Sequence, residues 1–546
     1  MSAHLKEQDP EKASIQEVQF NSGVEETADA HLHRGLKARH VQMISIGGVI
    51  GTGLFLGTAN ALRHGGPLGL LLGYMAVGSI CYSVMVALGE LVAHLPVAGG
   101  HITLARRFVS PAFAFALGYN YWYNWTIVLP AELNAAAVLI GYWSKNVNPA
   151  VWIAICLVVA CAINFGGSRA YGEAEFWFAI IKVLTIIGLI ILGIIIDCGG
   201  GPNGQYIGTK YWRDPGALVQ YAGIEGTTGR FLGFFSVLIQ ASFSYIGTEI
   251  VAIAAGETQD PRKTLPRAIK NVYIRILLFY ILGVLITGLL VPSNDPRLNL
   301  GSGTAASAPF VIAIQDAGIK ALPSIINAAL LTSAWSAASS DLYTSSRALY
   351  GLAINGQAPK FLRKTNRWGL PYNCVLVGVA FSLLSFMSAG STSAGTVFGY
   401  FANMTSVCGL ITWAGIFLTY IRWHKGLQVQ GISRSMLPYR APLQPYLSYY
   451  GLIFTCIILF FNGFSVFIHV KSVGFDSSTF VTSYFPIWFF PVLMIFYRFW
   501  RRGDKGVDLK DMDFVSGSRD ETGLEHPEEI PSDNKSFGQK VLAYVL

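Results

Sequence analysis

Gly47-Gly48-Val49-Ile50-Gly51-Thr52-Gly53 decides how the rest of this chain is read. The stretch lies inside an apolar run, residues 41–62, of the roughly 20-residue length that spans a bilayer as a helix. Each interior glycine costs a helix about 1 kcal/mol relative to alanine, so four glycines in seven residues favour a break. A second run, residues 232–255, carries a comparable interruption at Ser242-Phe243-Ser244-Tyr245-Ile246-Gly247-Thr248-Glu249. Both contain Ile-Gly-Thr. Inside a membrane, unwound backbone survives only where it lines a cavity or is buried in protein.

Working outward, the runs that contain these breaks are the first and sixth of twelve. The others cover residues 68–95, 112–140, 151–165, 176–196, 272–291, 322–340, 375–388, 397–421, 447–468 and 485–497, with a short candidate at 310–315. Paired interruptions in corresponding spans point to a transporter built from two inverted repeats, spans one to five and six to ten. Close helix packing through small residues is the competing explanation for the glycines. It leaves the Thr and Ser beside the breaks unexplained.

Composition agrees. Of 546 residues 52% are hydrophobic and 13% charged, and mean hydropathy is +0.46. Residues 1–40 hold 12 of the charges and residues 498–546 hold 18, leaving 40 in the 457 residues between them. A soluble chain of this length would need charged domain surfaces. The expected organisation is a polar tail (1–40), a twelve-span domain (41–497) and a second polar tail (498–546), both tails cytoplasmic. Lys and Arg concentrate in the loops at 262–270, 347–367 and 422–440, which sets that orientation. The net charge of +8 is therefore a topology signal, and no nucleic-acid partner is expected. The seven cysteines form no CxxC pair, and those inside apolar runs read as core residues rather than metal or redox sites.

The broken helix has a direct chemical use. A half-helix N-terminus offers N–H groups and positive dipole to a carboxylate, while the preceding C-terminus offers carbonyls to an ammonium. A zwitterionic amino acid uses both. Ionisable residues at membrane depth are costly and functional by default. Lys182 lies among apolar residues in the fifth run and is suited to carry and release a proton. Glu132 in the third can take part in a relay, and Glu249 can gate or order the sixth-run break. Glu90 reads as a structural partner between helices. Phe243 and Tyr245 are placed to cover a substrate.

Gly51-Thr52-Gly53-Leu54-Phe55-Leu56-Gly57 imitates a dinucleotide-binding loop, but it lies within a span, and no Asp or Glu occurs from Ala30 to Gly89 to hold a ribose. No cofactor or metal is expected. The chain also lacks a nucleophile with a placed base, which excludes an enzyme, and the repeated polar filter of a channel.

The chain resembles the fungal (yeast-type) amino-acid permeases of the amino acid–polyamine–organocation superfamily, from about Leu36 to Tyr497. The residues that carry the likeness are Arg39-His40-Val41-Gln42-Met43-Ile44, Gly89-Glu90 with Pro96, and Tyr211-Trp212-Arg213-Asp214-Pro215-Gly216. They continue through Ala255-Gly256-Glu257, Pro261 to Ile269, Ser340-Asp341-Leu342-Tyr343 and Ser346 to Tyr350.

The resemblance implies an all-α integral membrane protein with a LeuT-type 5+5 inverted repeat and broken helices 1 and 6. It implies proton-coupled uptake of amino acids across the plasma membrane. In such a protein the α-carboxylate sits at Gly51, Thr52 and Gly53, while Phe243, Ser244, Tyr245, Ile246, Gly247 and Thr248 receive the amino group and cover the ligand. Lys182 stands where sodium-driven relatives bind an ion. Asn403, Thr405 and Ser406 would tune specificity.

Many members have Ser or Thr where this chain has Val49, which removes one polar contact. The loops and the 340–350 segment look like the acidic-amino-acid branch, whereas Glu132 resembles the neutral and general permeases and would repel an acidic side chain. The expectation is broad transport of neutral amino acids, proline included. The alternatives are a dicarboxylic amino acid permease or a non-transporting sensor on the same fold. Membrane lipid, the proton and the amino acid are the expected partners, with ubiquitin or trafficking machinery at the tails.

Overall fold

The computed structural model describes residues 50–250, 272–299, 308–468, 475–501 and 506–515, apart from 96, 98, 145, 367, 368, 391, 392 and 438. Val49, the 1–40 tail, the first part of the first run and the 255–269 motif lie outside the described residues. Among those described, every regular element is a helix.

A wide turn, Gly53–Gly57, leads into α1 (Thr58–His94), which Gly66 (φ 73°) and Pro67 divide into two arms. There follow α2 (Gly100–Phe108), α3 (Pro111–Ile140), α4 (Pro149–Phe165) and α5 (Gly167–Asp197). After a long loop come α6 (Gly226–Tyr245), α7 (Leu282–Leu290), the short α8 (Pro309–Asp316) and α9 (Leu322–Ile354). The series ends with α10 (Tyr372–Ser382), α11 (Ala394–Val429), α12 (Tyr446–Phe460), α13 (Phe464–Phe467) and α14 (Ser477–Trp500).

The starts are written locally. Ser110 and Asn148 cap α3 and α4 with a proline next in sequence, and Ser393 and Asp476 cap α11 and α14 through their side-chain oxygens.

Seven stretches among the described residues are long and apolar enough to cross a bilayer: 53–94, 170–197, 272–290, 372–389, 394–429, 446–467 and 477–500. The runs expected as the third, sixth and eighth spans fall on α3, α6 and α9, which are more polar, and the fourth falls on the 17-residue α4. The physical reason is position. Asn120, Asn124, Glu132 and Asn134 of α3, and Ser333, Ser336, Ser339, Ser340 and Asp341 of α9, are all buried inside the bundle, out of reach of lipid. On the outside, Leu184, Ile191, Ile453, Phe460, Trp488, Val492 and Phe499 are exposed, the surface a lipid solvent would cover.

Helix α3 packs chiefly on α9 and α11, and α1 chiefly on α6. Small residues set the second contact: Gly65, Gly69 and Gly73 form a stripe on α1 against Gly233, Phe234 and Val237 of α6. The 198–225 loop folds back over the Gly66 corner, where Leu68 N–H donates to Ala217 O at 2.9 Å.

Two expectations need correction. The C-terminal tail is not wholly solvated, because residues 506–515 pack on the face opposite that loop. Val507 N–H donates to Val109 O at 3.0 Å, and Gln430 Nε2 donates to Leu509, Lys510 and Met512 carbonyls. Met512 and Phe514 are buried, with Phe514 stacked on Phe108 at 5.4 Å. Apolar residues spaced two apart on an otherwise acidic segment escape a reading based on charge. The cysteines divide as well: Cys81, Cys156 and Cys408 are buried, Cys161 is half-buried and Cys456 is exposed on α12.

Candidate functional site

At the first break the chain is irregular at Ile50 and Gly51 and re-enters helix at Thr52. At the second, α6 ends on Tyr245, Ile246 is extended (φ −63°, ψ 145°) and Gly247 takes φ 96°, a conformation that a β-carbon disfavours. The two breaks touch. A β-carbon on Gly53 would stand 3.0 Å from Phe243 Cδ1 and 3.0 Å from the Ser244 Cα, so glycine is what permits the approach.

A neighbouring helix and side chains of the second break itself satisfy the irregular backbone, as a low-dielectric setting requires. Ser333 Oγ of α9 donates to Ile50 O at 3.2 Å. Glu249 Oε2 accepts from the Gly247 N–H at 3.2 Å and from Trp413 Nε1 of α11 at 3.3 Å. Thr248 Oγ1 donates to Tyr245 O at 2.6 Å and accepts from Arg275 Nη2 at 3.1 Å. Tyr74 of α1 shares a 2.8 Å hydrogen bond with Ser244.

Between the breaks lies a cavity of about 50 Å³. Of the expected contacts its wall includes Gly51, Gly53, Glu132, Phe243, Ser244, Ile246, Gly247 and Thr405, joined by Asn124, Trp125, Val128, Ile250, Ala337, Ser340 and Asp341. A larger chamber of about 290 Å³ lies toward the 198–225 loop and is lined by Asn60, His64, Gln240, Asn403, Ser406, Asn462, Thr482 and Ser483 among others. Phe243 belongs to both walls and meets Phe398 edge-on at 5.7 Å. That aromatic pair is the partition between the two spaces.

The remaining candidates are placed as follows. Thr52 faces away from the cavity and donates to Glu132 Oε1 at 2.8 Å. Tyr245 also faces away: its hydroxyl donates to Tyr74 O at 3.0 Å and its ring stacks on Tyr280 at 4.5 Å. Phe243 alone of the two aromatics covers the cavity. Asn403 is held in the outer chamber by Ser483 at 2.9 Å and Asn462 at 3.2 Å. Lys182 is buried behind the wall, its Nζ 3.5 Å from Glu175 Oε1. Glu90 is clamped by Arg434, at 2.7 and 2.8 Å, and by the Tyr420 hydroxyl at 2.9 Å, which fits its reading as a structural partner.

Sequence reasoning passed over Glu175, Asp341, Arg275, Asn124 and Trp125. Glu175 stands one residue before the run that starts at 176, and Asp341 one residue after the run that ends at 340. Both acids stand at the edge of an apolar run, where its bounds are drawn, so these two carboxyls fall just outside the candidates. Helical continuation offered the missing signal, since α5 and α9 run well past both.

The sequence model of the family described as Amino acid permease matches residues 40–509. The chain is 43% identical over 520 residues to the proline-specific permease of Emericella nidulans, covering 93% of each. It is 45% identical over 473 residues to the dicarboxylic amino acid permease of Saccharomyces cerevisiae, covering 86% of this chain and 76% of the relative. It is 43% identical over 507 residues to the lysine-specific permease of the same yeast, covering 92% and 82%. Relatives named for side chains of three different charges stand at nearly equal identity. Similarity alone therefore leaves the substrate to be argued from the site.

Proposed function

The chain belongs to the amino acid permease family, and on that premise we propose that it is a proton-coupled symporter importing neutral amino acids, proline among them, across the plasma membrane. The observation that carries the reading is the composition of the cavity wall. It brings together both helix breaks, apolar side chains (Trp125, Val128, Phe243, Ile246, Ile250) and two carboxyls, Glu132 and Asp341, with no Lys or Arg among the wall residues. An acidic side chain would enter a low-dielectric site beside two carboxyls and without a countercharge. A neutral one meets no such penalty.

The architecture proposed is twelve spans in a 5+5 inverted repeat with both tails cytoplasmic. The α-carboxylate is received at Gly51, Thr52 and Gly53, and the ammonium by the carbonyls before Gly247, with Ser244 and Thr405 at the cavity. Thr405 Oγ1 is buried and carries no hydrogen bond among the described residues, so it is available to a ligand. Access alternates as the Phe243–Phe398 partition opens toward the outer chamber and the opposite side closes. Lys182 and Glu132 carry the coupling proton, and Glu249 orders the second break.

The test is uptake of radiolabelled proline, alanine, glutamate, aspartate and lysine in permease-deficient cells at two external pH values, with and without a protonophore. Saturable proline and alanine uptake that rises at the lower pH and collapses with the protonophore is expected. Dominant glutamate and aspartate uptake would overturn the substrate reading, and indifference to the protonophore would overturn the coupling.

A further inference from the structure

At the cavity wall and behind it lies a cluster of four buried ionisable groups from three helices: Glu132 on α3, Glu175 and Lys182 on α5, and Asp341 on α9. Lys182 Nζ is 3.5 Å from Glu175 Oε1, and Asp341 interacts electrostatically with all three of the others. Glu132 Oε2 and Asp341 Oδ2 are buried, carry no hydrogen bond among the described residues, and belong to side chains on the cavity wall. Three carboxyls face one ammonium. Two uncompensated negative charges in a low-dielectric interior are very costly, so electroneutrality calls for two protons shared within the cluster.

The cluster also has an outlet. Glu175 Oε2 accepts hydrogen bonds from Ser336 and, at 3.3 Å, from Ser340. Ser340 Oγ in turn accepts from the Tyr171 hydroxyl at 3.1 Å. Tyr171 stacks on Tyr343 at 3.9 Å, and the Arg347 guanidinium lies 3.4 Å over the other partner's ring. At 1.5 Å per residue, Glu175 and Tyr171 stand about 10 and 16 Å along α5 from Lys182, toward its start at Gly167. That is the direction away from the 198–225 loop.

We propose that Glu175 and Asp341 form an inner proton station, and that Ser340 and Tyr171 conduct the proton from it toward the cytoplasmic face. The inference rests on the proton-coupled reading above. Asp341 and Glu132, on the wall, exchange protons with the substrate space. A proton leaves the Lys182 ammonium for Glu175, breaking an N–H bond, forming an O–H bond and leaving a neutral amine beside a neutral carboxyl. Once the Ser340 and Tyr171 hydroxyls have rotated to reverse the two hydrogen bonds described above, the carboxyl donates to Ser340 Oγ, whose own proton passes to the Tyr171 oxygen. The Tyr171 hydroxyl proton is released in the direction of the start of α5, and each hydroxyl ends with one proton as it began. Glu175 is a positioning and relay residue here, since it touches Lys182 and not the substrate.

Purified full-length protein in liposomes, with a pH-sensitive dye trapped inside, separates the steps. The probe is radiolabelled proline, or the fastest amino acid of the uptake panel if that differs. Wild-type protein should acidify the lumen as substrate enters. Absence of that signal overturns the coupling reading itself, and the relay with it. Given the wild-type signal, Glu175→Gln should keep substrate counterflow while proton-driven accumulation falls about tenfold or more. Glu175→Asp should restore part of it. Tyr171→Phe, which removes one oxygen and keeps the stacked ring, should slow lumenal acidification severalfold without changing equilibrium binding. It serves as the readout if Glu175→Gln does not fold. Unchanged proton-to-substrate ratios and acidification rates in Tyr171→Phe, with a coupled wild type, would overturn the relay alone.

Discussion

Gly53 concentrates the argument at the scale of a single residue. Its missing β-carbon is what lets one break lie against Phe243 and Ser244. Gly53→Ala should cost about 1–3 kcal/mol of stability through overpacking and reduce uptake, because relief requires shifting both Phe243, on the cavity wall, and the Ser244 backbone. Gly57 is the control: a β-carbon there would meet nothing nearer than Ser244 Oγ at 3.9 Å. Gly57→Ala should leave melting temperature and transport near wild type, and equal losses in both variants would refute the close-approach argument. Single residues were also where the sequence misled. Tyr245 and Phe243 look equivalent beside a break, yet the tyrosine hydroxyl finds a carbonyl on α1 and turns its ring away. Which aromatic covers the cavity depends on that hydrogen bond, and nothing local to residues 242–249 encodes it.

Elements were more legible than their ends. Each apolar run falls on a helix within the described residues, because hydrophobic length is a property of twenty residues and tolerates errors at the margins. The margins are where charge begins, and there the reading stopped short of Glu175 and Asp341. A polar helix in a lipid-facing fold was equally hard to place, since α9 owes its serines and aspartate to the helices around it. Between α7 and α8 an ion-paired turn binds two elements together. Arg297 bonds Asp295 at 2.6 Å and Asp316, at the end of α8, at 2.7 Å. Partial burial works to raise the Asp295 carboxyl, but the hydrogen bonds from Arg297 win and hold it below its usual range.

The sign for stability follows from that direction. A lowered carboxylate contributes stability above its unfolded value, near about 4, and loses it as pH falls through the lower folded value. Asp295→Asn should therefore melt below wild type at neutral pH, with the gap narrowing as pH falls below the ordinary carboxylate range. A gap that stays constant across the titration would count against an electrostatic origin.

For the whole molecule, the organising fact is that four ionisable groups, Glu132, Glu175, Lys182 and Asp341, are gathered and buried at the centre of the bundle. Charge balance among four side chains on three helices links the cavity to the start of α5, and no one helix shows it. The composition of the chain announced a membrane protein, and the breaks announced a transporter. The cluster required the helices to be assembled. So did the seat for residues 506–515, where Arg422, Gln430 and Phe108 from distant parts of the sequence meet one short acidic segment. A chain ending at residue 515 should keep its thermal stability in detergent, while one ending at 505 should lose about 2 kcal/mol through the emptied Met512 and Phe514 sites. Identical melting of the two truncations would show that the segment is only resting there.

That segment has a consequence for how the protein is made. Its seat on α2 and the residues just before α3 is synthesised early, and the segment that fills it follows every helix described, the last of which ends at Trp500. Until translation reaches Phe514, the Phe108 ring and the end of α11 lack the cover that this segment gives them. An interrupted chain thus carries its own mark of incompleteness, an apolar patch that only the finished polypeptide can hide from the machinery that inspects new membrane proteins.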